Sequence, residues 1–146
     1  MLLLSRTGVR RASSQAKRRA AASARRPTTG RLVIDSVHHS ADELRAARRV
    51  AARGRDVVLR DPGGVRSKAG GTADLLVDGV PYDIYTPTTS NANRIISAMR
   101  SKNSQARGIV LDLSKSGVSL DDLGNVINRL RGAGAQNLQE VIIIGR

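Results

Sequence analysis

The order and period of the apolar segments predict one α/β domain built on a mixed sheet with helices on both faces. Three observations carry this. A length of 146 residues suits a single domain with one core. Apolar runs of strand length and segments of helical period follow one another as helix, three strands, helix, strand, helix, strand. Helices separate the later strands, which argues for crossovers that cover both faces of the sheet.

Residues 1–31 precede this pattern and show no apolar periodicity. They hold nine Lys and Arg and no acid, end near a Pro27-Thr-Thr-Gly30 cluster, and read as a disordered basic arm. The apolar start Met1 to Leu4 is too short for a signal-peptide core or a membrane span. The domain proper is expected over 32–146, and Leu32 to Val37 is either a strand or a lead-in.

Ser40, Asp42 and Glu43 open the first helix. Leu44, Ala47, Val50 and Ala51 give it an apolar stripe, and Gly54 stops it. Asp56 to Arg60 is a buried-strand candidate, followed by a loop over Asp61 to Thr72 whose Pro and glycines forbid regular structure. Ala73 to Val77, the pair Asp78-Gly79 and Val80 to Thr86 spell a β-hairpin, because Asp-Gly suits the positive-φ positions of a tight primed turn. Pro81 restricts its strand to pairing on one side at that point, or marks an edge. Thr88 to Asn91 supply cap residues, and Ile95, Ile96 and Met99 mark a helix to about Asn103. Ile109 to Leu113 is a strand. Asp121 to Arg131 is a helix with Leu123, Val126, Ile127 and Leu130 inward, and Val141 to Ile144 is a last buried strand.

Composition narrows the function classes. The formal charge is +13, and outside the arm sixteen basic residues face twelve acids, a balance that favours a polyanionic partner. With no Trp or Phe, only Tyr82 and Tyr85 could stack on bases, which weakens any model built on aromatic base-stacking platforms. Absence of Cys removes disulfides and thiolate zinc sites. No Gly-rich nucleotide loop, Ser/His/Asp set or Cys/His ligand set is visible. His38 and His39 are adjacent and would point apart on a regular element, which disfavours a shared metal site.

The hairpin carries the chemistry. With Asp78 and Gly79 as the turn, Val77 faces Val80, Leu75 faces Tyr82 and Asp74 faces Asp83. Directly opposed positions hold their Cβ atoms roughly 4.5 to 5.5 Å apart, where like charges oppose strand pairing. Such a pair is stable when a cation bridges it or when one acid keeps its proton. Tyr85 shares the strand face of Asp83 by period-two alternation. Glu43, at the margin of the first helix's stripe, either leans toward this pair as a third acid or closes a capping box with Ser40. Arg94, Lys102 and Gln105 fall near one stripe of the second helix, where Arg94 suits a phosphate contact.

The stretch ADLLVDGVPYDIYTPTTSNANRIISAMRSKNSQARGIVLDLS resembles the C-terminal toxin domain of contact-dependent growth inhibition proteins of the CdiA tRNase type. The resemblance spans roughly Glu43 to Ile144 and is most specific from the hairpin through Asn91. Those domains are similar in topology to the PD-(D/E)XK nucleases, whose core is a helix, three strands, a helix and a strand. The resemblance implies an endoribonuclease acting on tRNA, cytoplasmic in the producer or secreted and delivered into the cytoplasm of a target cell, with a cognate immunity protein as partner. It implies a divalent-metal site, Mg²⁺, from Glu43 on the helix, Asp74 opening one strand and Asp83 on the next. Tyr85 stands where the motif has its lysine, which leaves Lys102 as the candidate for that catalytic role. Arg94, Thr88 and Asn91 are the expected nucleic-acid contacts. A metal-independent route, in which the RNA 2′-OH attacks its own phosphate and Asp83 or Tyr85 handles the proton, is the alternative mechanism. A DNA-cleaving enzyme of the same fold and a non-catalytic nucleic-acid binder are the alternative functions.

Overall fold

A computed structural model describes residues 29–35, 39–60 and 73–146. The basic arm expected over 1–31 and the loop expected over 61–72 lie almost wholly outside them. Six strands form one sheet in sequence order: β1 (Leu32–Ile34), β2 (Val57–Leu59), β3 (Leu75–Val77), β4 (Val80–Tyr85), β5 (Gly108–Asp112) and β6 (Glu140–Ile144). β1 pairs parallel with β2, β3 pairs antiparallel with both neighbours, and β4, β5 and β6 run parallel. Every strand except β3 therefore points the same way, and the expected mixed sheet is present. The segment at Leu32 is a strand rather than a lead-in.

Each parallel step needs a crossover, and helices provide them. Helix α1 (Ala41–Ala52) joins β1 to β2, α2 (Ala92–Arg100) joins β4 to β5, and α3 (Leu120–Leu123) with α4 (Val126–Gly132) joins β5 to β6. Two apolar layers result. α1 buries Ala46, Ala47, Val50 and Ala51 against Val57, Leu59, Leu75, Val77, Tyr82, Val110, Ile142 and Ile144. The other face packs Ile95, Ile96 and Met99 of α2, with Leu123, Val126 and Leu130, onto Ile109 and Leu111. Small alanines on α1 let that helix lie close to the sheet, which suits a core built without Phe or Trp.

Two helices differ from expectation, each for a local reason. The segment expected as one helix over Asp121 to Arg131 is two, because Gly124 at φ 62°, ψ −148° leaves the helical region and Asn125 caps a fresh start through Asn128 N–H at 3.0 Å. α2 ends at Arg100 rather than near Asn103, and 101–105 continue as turns whose amides reach back three and four residues. Lys102 and Gln105 thus stand on those turns and not on a helical stripe.

The hairpin register is the expected one, with Leu75 opposite Tyr82, Leu76 opposite Pro81 and Val77 opposite Val80. Asp78 at φ 51° and Gly79 at φ 85° take the two left-handed turn positions. The ladder between β4 and β5 starts at Tyr82 opposite Gly108, and Pro81, which has no N–H to give, contributes on that side only its carbonyl, which accepts the Arg107 N–H at 2.9 Å.

Beneath the turn, a polar lock ties three strands together. The Arg55 guanidinium binds both oxygens of Glu140 at 3.1 Å and also the Asp78 carboxylate, while the Tyr82 hydroxyl donates to Glu140. Burial and the neighbouring Glu140 carboxylate push the Tyr82 phenol up to about 12. Gly108 lies under the Tyr82 ring, and a Cβ there would fall within it.

Candidate functional site

Asp74 sits on the bend that precedes β3. One register step beyond Leu75 and Tyr82 places it opposite Asp83, and its N–H donates to Asp83 Oδ1 at 3.3 Å. Its own carboxylate takes the Ile84 N–H at 2.9 Å, standing in for the ladder bond that β3 is too short to make. The hairpin therefore sets the two acids side by side. Asp83 is 2% exposed in the middle of β4, on the face that α2 covers.

A cation and a neutral donor meet the Asp83 side of this pair. Lys102 Nζ lies 3.6 Å from Asp83 Oδ2, and the Gln105 side-chain amide donates to the same oxygen. Burial first, then the negative charges of Asp83 and Glu43, push the Asp74 carboxyl above its usual value, against the Ile84 N–H and Lys102. Lys102 reaches Asp83 from the turn after α2, with Nζ 6.0 Å from the centre of the Tyr85 ring. The position in β4 that carries Tyr85 instead of lysine thus has an ammonium above it, supplied from another element. Burial raises the Tyr85 phenol as well.

Glu43 follows its capping role. Its Oε1 accepts the Ser40 N–H at 2.8 Å while Ser40 Oγ accepts the Glu43 N–H at 3.1 Å. It acts on Asp74 through its charge but does not complete a cage. Among the described residues no three His, Cys, Asp or Glu side chains group to hold a metal. Asp74 and Asp83 remain as two adjoining hard oxygen donors. Asp83 already holds Lys102, Gln105 and the Asp74 N–H, so the open oxygen of the pair is on Asp74. Mg²⁺ keeps several waters and needs only one or two protein carboxylates, which fits that one donor with Asp83 beside it.

The expected nucleic-acid residues lie around the start of α2. Asn91 caps that helix by accepting the Arg94 N–H at 3.1 Å, and its own N–H donates to Thr89 Oγ1 at 3.0 Å. Thr88 and Arg94 are exposed. The structure brings together Asp74, Asp83, Lys102 and Tyr85, adds Gln105, and leaves Thr88, Asn91 and Arg94 outside that cluster.

A second polar centre went unread in the sequence. Asp112, fully buried at the end of β5, accepts two bonds from Arg45 at 2.8 and 3.1 Å and the Ser114 N–H at 3.0 Å. Burial acts to raise its carboxyl, but the Ser114 amide and Arg45 outweigh it and hold Asp112 below the usual carboxylate range. Arg45 also meets Asp42, which Lys115 reaches at 3.1 Å, so this network fastens α1 to β5 and the loop after it. In sequence the only signal for it is an Asp that closes an otherwise apolar strand.

The fold and site define a class: a single small α/β domain whose polar centre is a hairpin acid pair held by a lysine from the following crossover. Residues 71–146, more than half of the chain, match the family model described as the contact-dependent growth inhibition CdiA C-terminal domain. The chain belongs to that family of toxin domains. It is also similar to a solved structure described as a CdiA-CT/CdiI toxin and immunity complex from Burkholderia pseudomallei. That match has a TM-score of 0.61 and 25% identity, and it covers 79% of this chain and 92% of the other. No curated protein matches the chain significantly. Among the described residues no helix is long and apolar enough to cross a membrane.

Proposed function

We propose that this domain is an endoribonuclease that cuts tRNA, with Asp74, Asp83 and Lys102 as its catalytic centre. The observation that carries the reading is the packing of two hairpin carboxylates with an ammonium from the turn after α2. Asp83 is nearly inaccessible and held by Lys102 and Gln105, while Asp74 is partly exposed with a raised carboxyl. Perturbed acids clustered with a cation are a signature of functional sites. The strand and helix order further supports the PD-(D/E)XK topology that the sequence resembles.

The residues divide the work. Asp74, whose second carboxylate oxygen is not engaged among the described residues, would hold a divalent cation beside Asp83, and the cation when bound would supply positive charge at the phosphate and a water of lowered pKa. Asp83 fixes Lys102 by ion pairing, and Lys102 presents its charge to the phosphate oxygens as negative charge develops there. Asp74, with its raised carboxyl, is the group suited to accept a proton from the attacking water. The water oxygen bonds to phosphorus as the P–O3′ bond breaks and the departing O3′ takes a proton from a solvent water, so the products carry a 5′-phosphate and a 3′-hydroxyl. Arg94 and Thr88, exposed by the start of α2, contact the flanking backbone. The solved neighbour is a toxin and immunity complex, which supports a cognate immunity protein as partner here and delivery into a target cell as the setting.

Inducible expression of residues 32–146 followed by denaturing gels of cellular RNA tests the reading. Discrete tRNA fragments are expected with the native sequence and none with Asp83→Asn. Intact RNA in poisoned cells, or fragments from the Asp83→Asn protein, would remove it.

A further inference from the structure

Among the described residues two side chains carry fully buried nitrogens without a hydrogen-bond partner: His39, in both ring nitrogens, and Arg60, in Nε. A guanidinium N–H withdrawn from water with nothing to accept it is costly, and such a group points to an absent acceptor. Arg60 is the one whose place in the sheet says what that acceptor is.

Arg60 follows β2 and extends its ladder, its N–H donating to the Asp74 carbonyl at 3.1 Å. The register runs Val57 to Val77, Val58 to Leu76 and Leu59 to Leu75, so the next step sets Arg60 beside Asp74. Asp74 in turn stands beside Asp83. Leu59 is buried in the layer under α1, so alternation turns Arg60 to the opposite face, which Asp83 shares. Positions on three neighbouring strands thus read Arg60, Asp74, Asp83, and Lys102 closes the series from above β4. The charges run positive, negative, negative, positive.

Arg60 makes no ion pair with these acids or with any other described carboxylate. Asp83 is already satisfied by Lys102, Gln105 and the Asp74 N–H, and Asp74 takes the Ile84 N–H. We propose that Arg60 binds a phosphate of the RNA backbone as it lies across the acid pair. Two carboxylates repel a phosphodiester, so a site built on them needs cations at its flanks, and Lys102 supplies only one. A guanidinium matches phosphate oxygens with two parallel N–H donors, which a lysine cannot do. This inference rests on the nuclease reading for the identity of the polyanion.

The test measures binding of the full chain to bulk tRNA in an Asp83→Asn background, as Kd against salt concentration, with thermal melts to confirm folding. Arg60→Ala is expected to weaken binding about tenfold and to lower the salt slope by about one phosphate contact. Arg60→Lys is expected to keep the slope. With Asp83 intact, that same variant should cleave about tenfold more slowly, because a point charge replaces the fork. It also serves in place of Arg60→Ala if the alanine variant fails to fold. An unchanged slope in Arg60→Ala, or wild-type cleavage by Arg60→Lys, overturns the proposal. A lowered slope in a protein that cuts no RNA keeps Arg60 as a phosphate contact and removes the nuclease reading. Normal cleavage with an unchanged slope does the reverse.

Discussion

Replacing Lys102 with Met keeps the aliphatic stem and removes the charge that faces Asp83. The ammonium lies 3.6 Å from a carboxylate whose side chain is 3% exposed, while the lysine side chain itself is 23% exposed. At an effective dielectric constant of about 20 this pair attracts by roughly 4 to 5 kcal/mol. Desolvation offsets much of that gain, and Gln105 and the Asp74 N–H still hold Asp83, so the net loss of stability is about 1 to 2 kcal/mol. For a domain of this size that lowers Tm by about 3 to 8 °C. Lys102 is also one of the influences that hold the Asp74 carboxyl down, against burial and the charges of Asp83 and Glu43. Its loss raises that carboxyl further, so the acid limb of the pH profile of kcat/KM moves to higher pH. At neutral pH the rate falls about a hundredfold, the scale of one lost charge-stabilising donor. Thermal melts together with pH–rate profiles on tRNA check both effects. A variant with native Tm and an unmoved acid limb would refute the argument that Lys102 completes the acid pair.

Asp74→Asn keeps an acceptor for the Ile84 N–H but removes a carboxylate that is costly to ionise where it sits. It should abolish cleavage while stabilising the fold at pH 7 by up to about 1 kcal/mol, a gain that vanishes below about pH 4 when the native acid is protonated too; denaturant titrations at both pH values measure it. Arg45→Met strands the buried Asp112 charge and should cost about 2 kcal/mol near neutral pH. Because the folded Asp112 carboxyl is depressed, this pairing contributes above the unfolded value near 4 and is lost as pH falls through the folded value. The deficit of the variant should therefore shrink in acid unfolding curves. Gly108→Ala drives a methyl group into the buried Tyr82 ring and should destabilise by about 1 to 3 kcal/mol in urea, with no direct effect on the acid pair.

The hairpin was legible because its determinants are local. Asp78-Gly79 dictates the turn, the turn dictates the register, and the register alone puts Asp74 beside Asp83. α1 was equally readable from Ser40 and its alanine stripe. Glu43 was not, because the same residue suits a cap and a site, and only the folded helix shows Oε1 on the Ser40 N–H while its charge still reaches Asp74. Lys102 is a candidate by residue type alone, and its reach to Asp83 depends on α2 ending at Arg100 and the chain turning, a boundary that periodicity does not fix. Arg60 has no local signal, because its strand neighbour Asp74 is fourteen positions away in sequence and pairing over that separation leaves no local mark. Gly124 could have been read as a break, but the apolar spacing of Leu123, Val126 and Leu130 continued through it and masked the split into α3 and α4.

The account stands or falls on what Asp74 and Asp83 do to an RNA phosphodiester. The most direct measurement incubates purified protein with end-labelled tRNA, with Mg²⁺ and with EDTA, and identifies the new termini by phosphatase and polynucleotide kinase treatment. Cleavage is expected to require both aspartates, to stop in EDTA and to leave 5′-phosphate and 3′-hydroxyl ends. Cleavage that persists in EDTA with 2′,3′-cyclic phosphate ends, or that survives replacement of both aspartates, would contradict it.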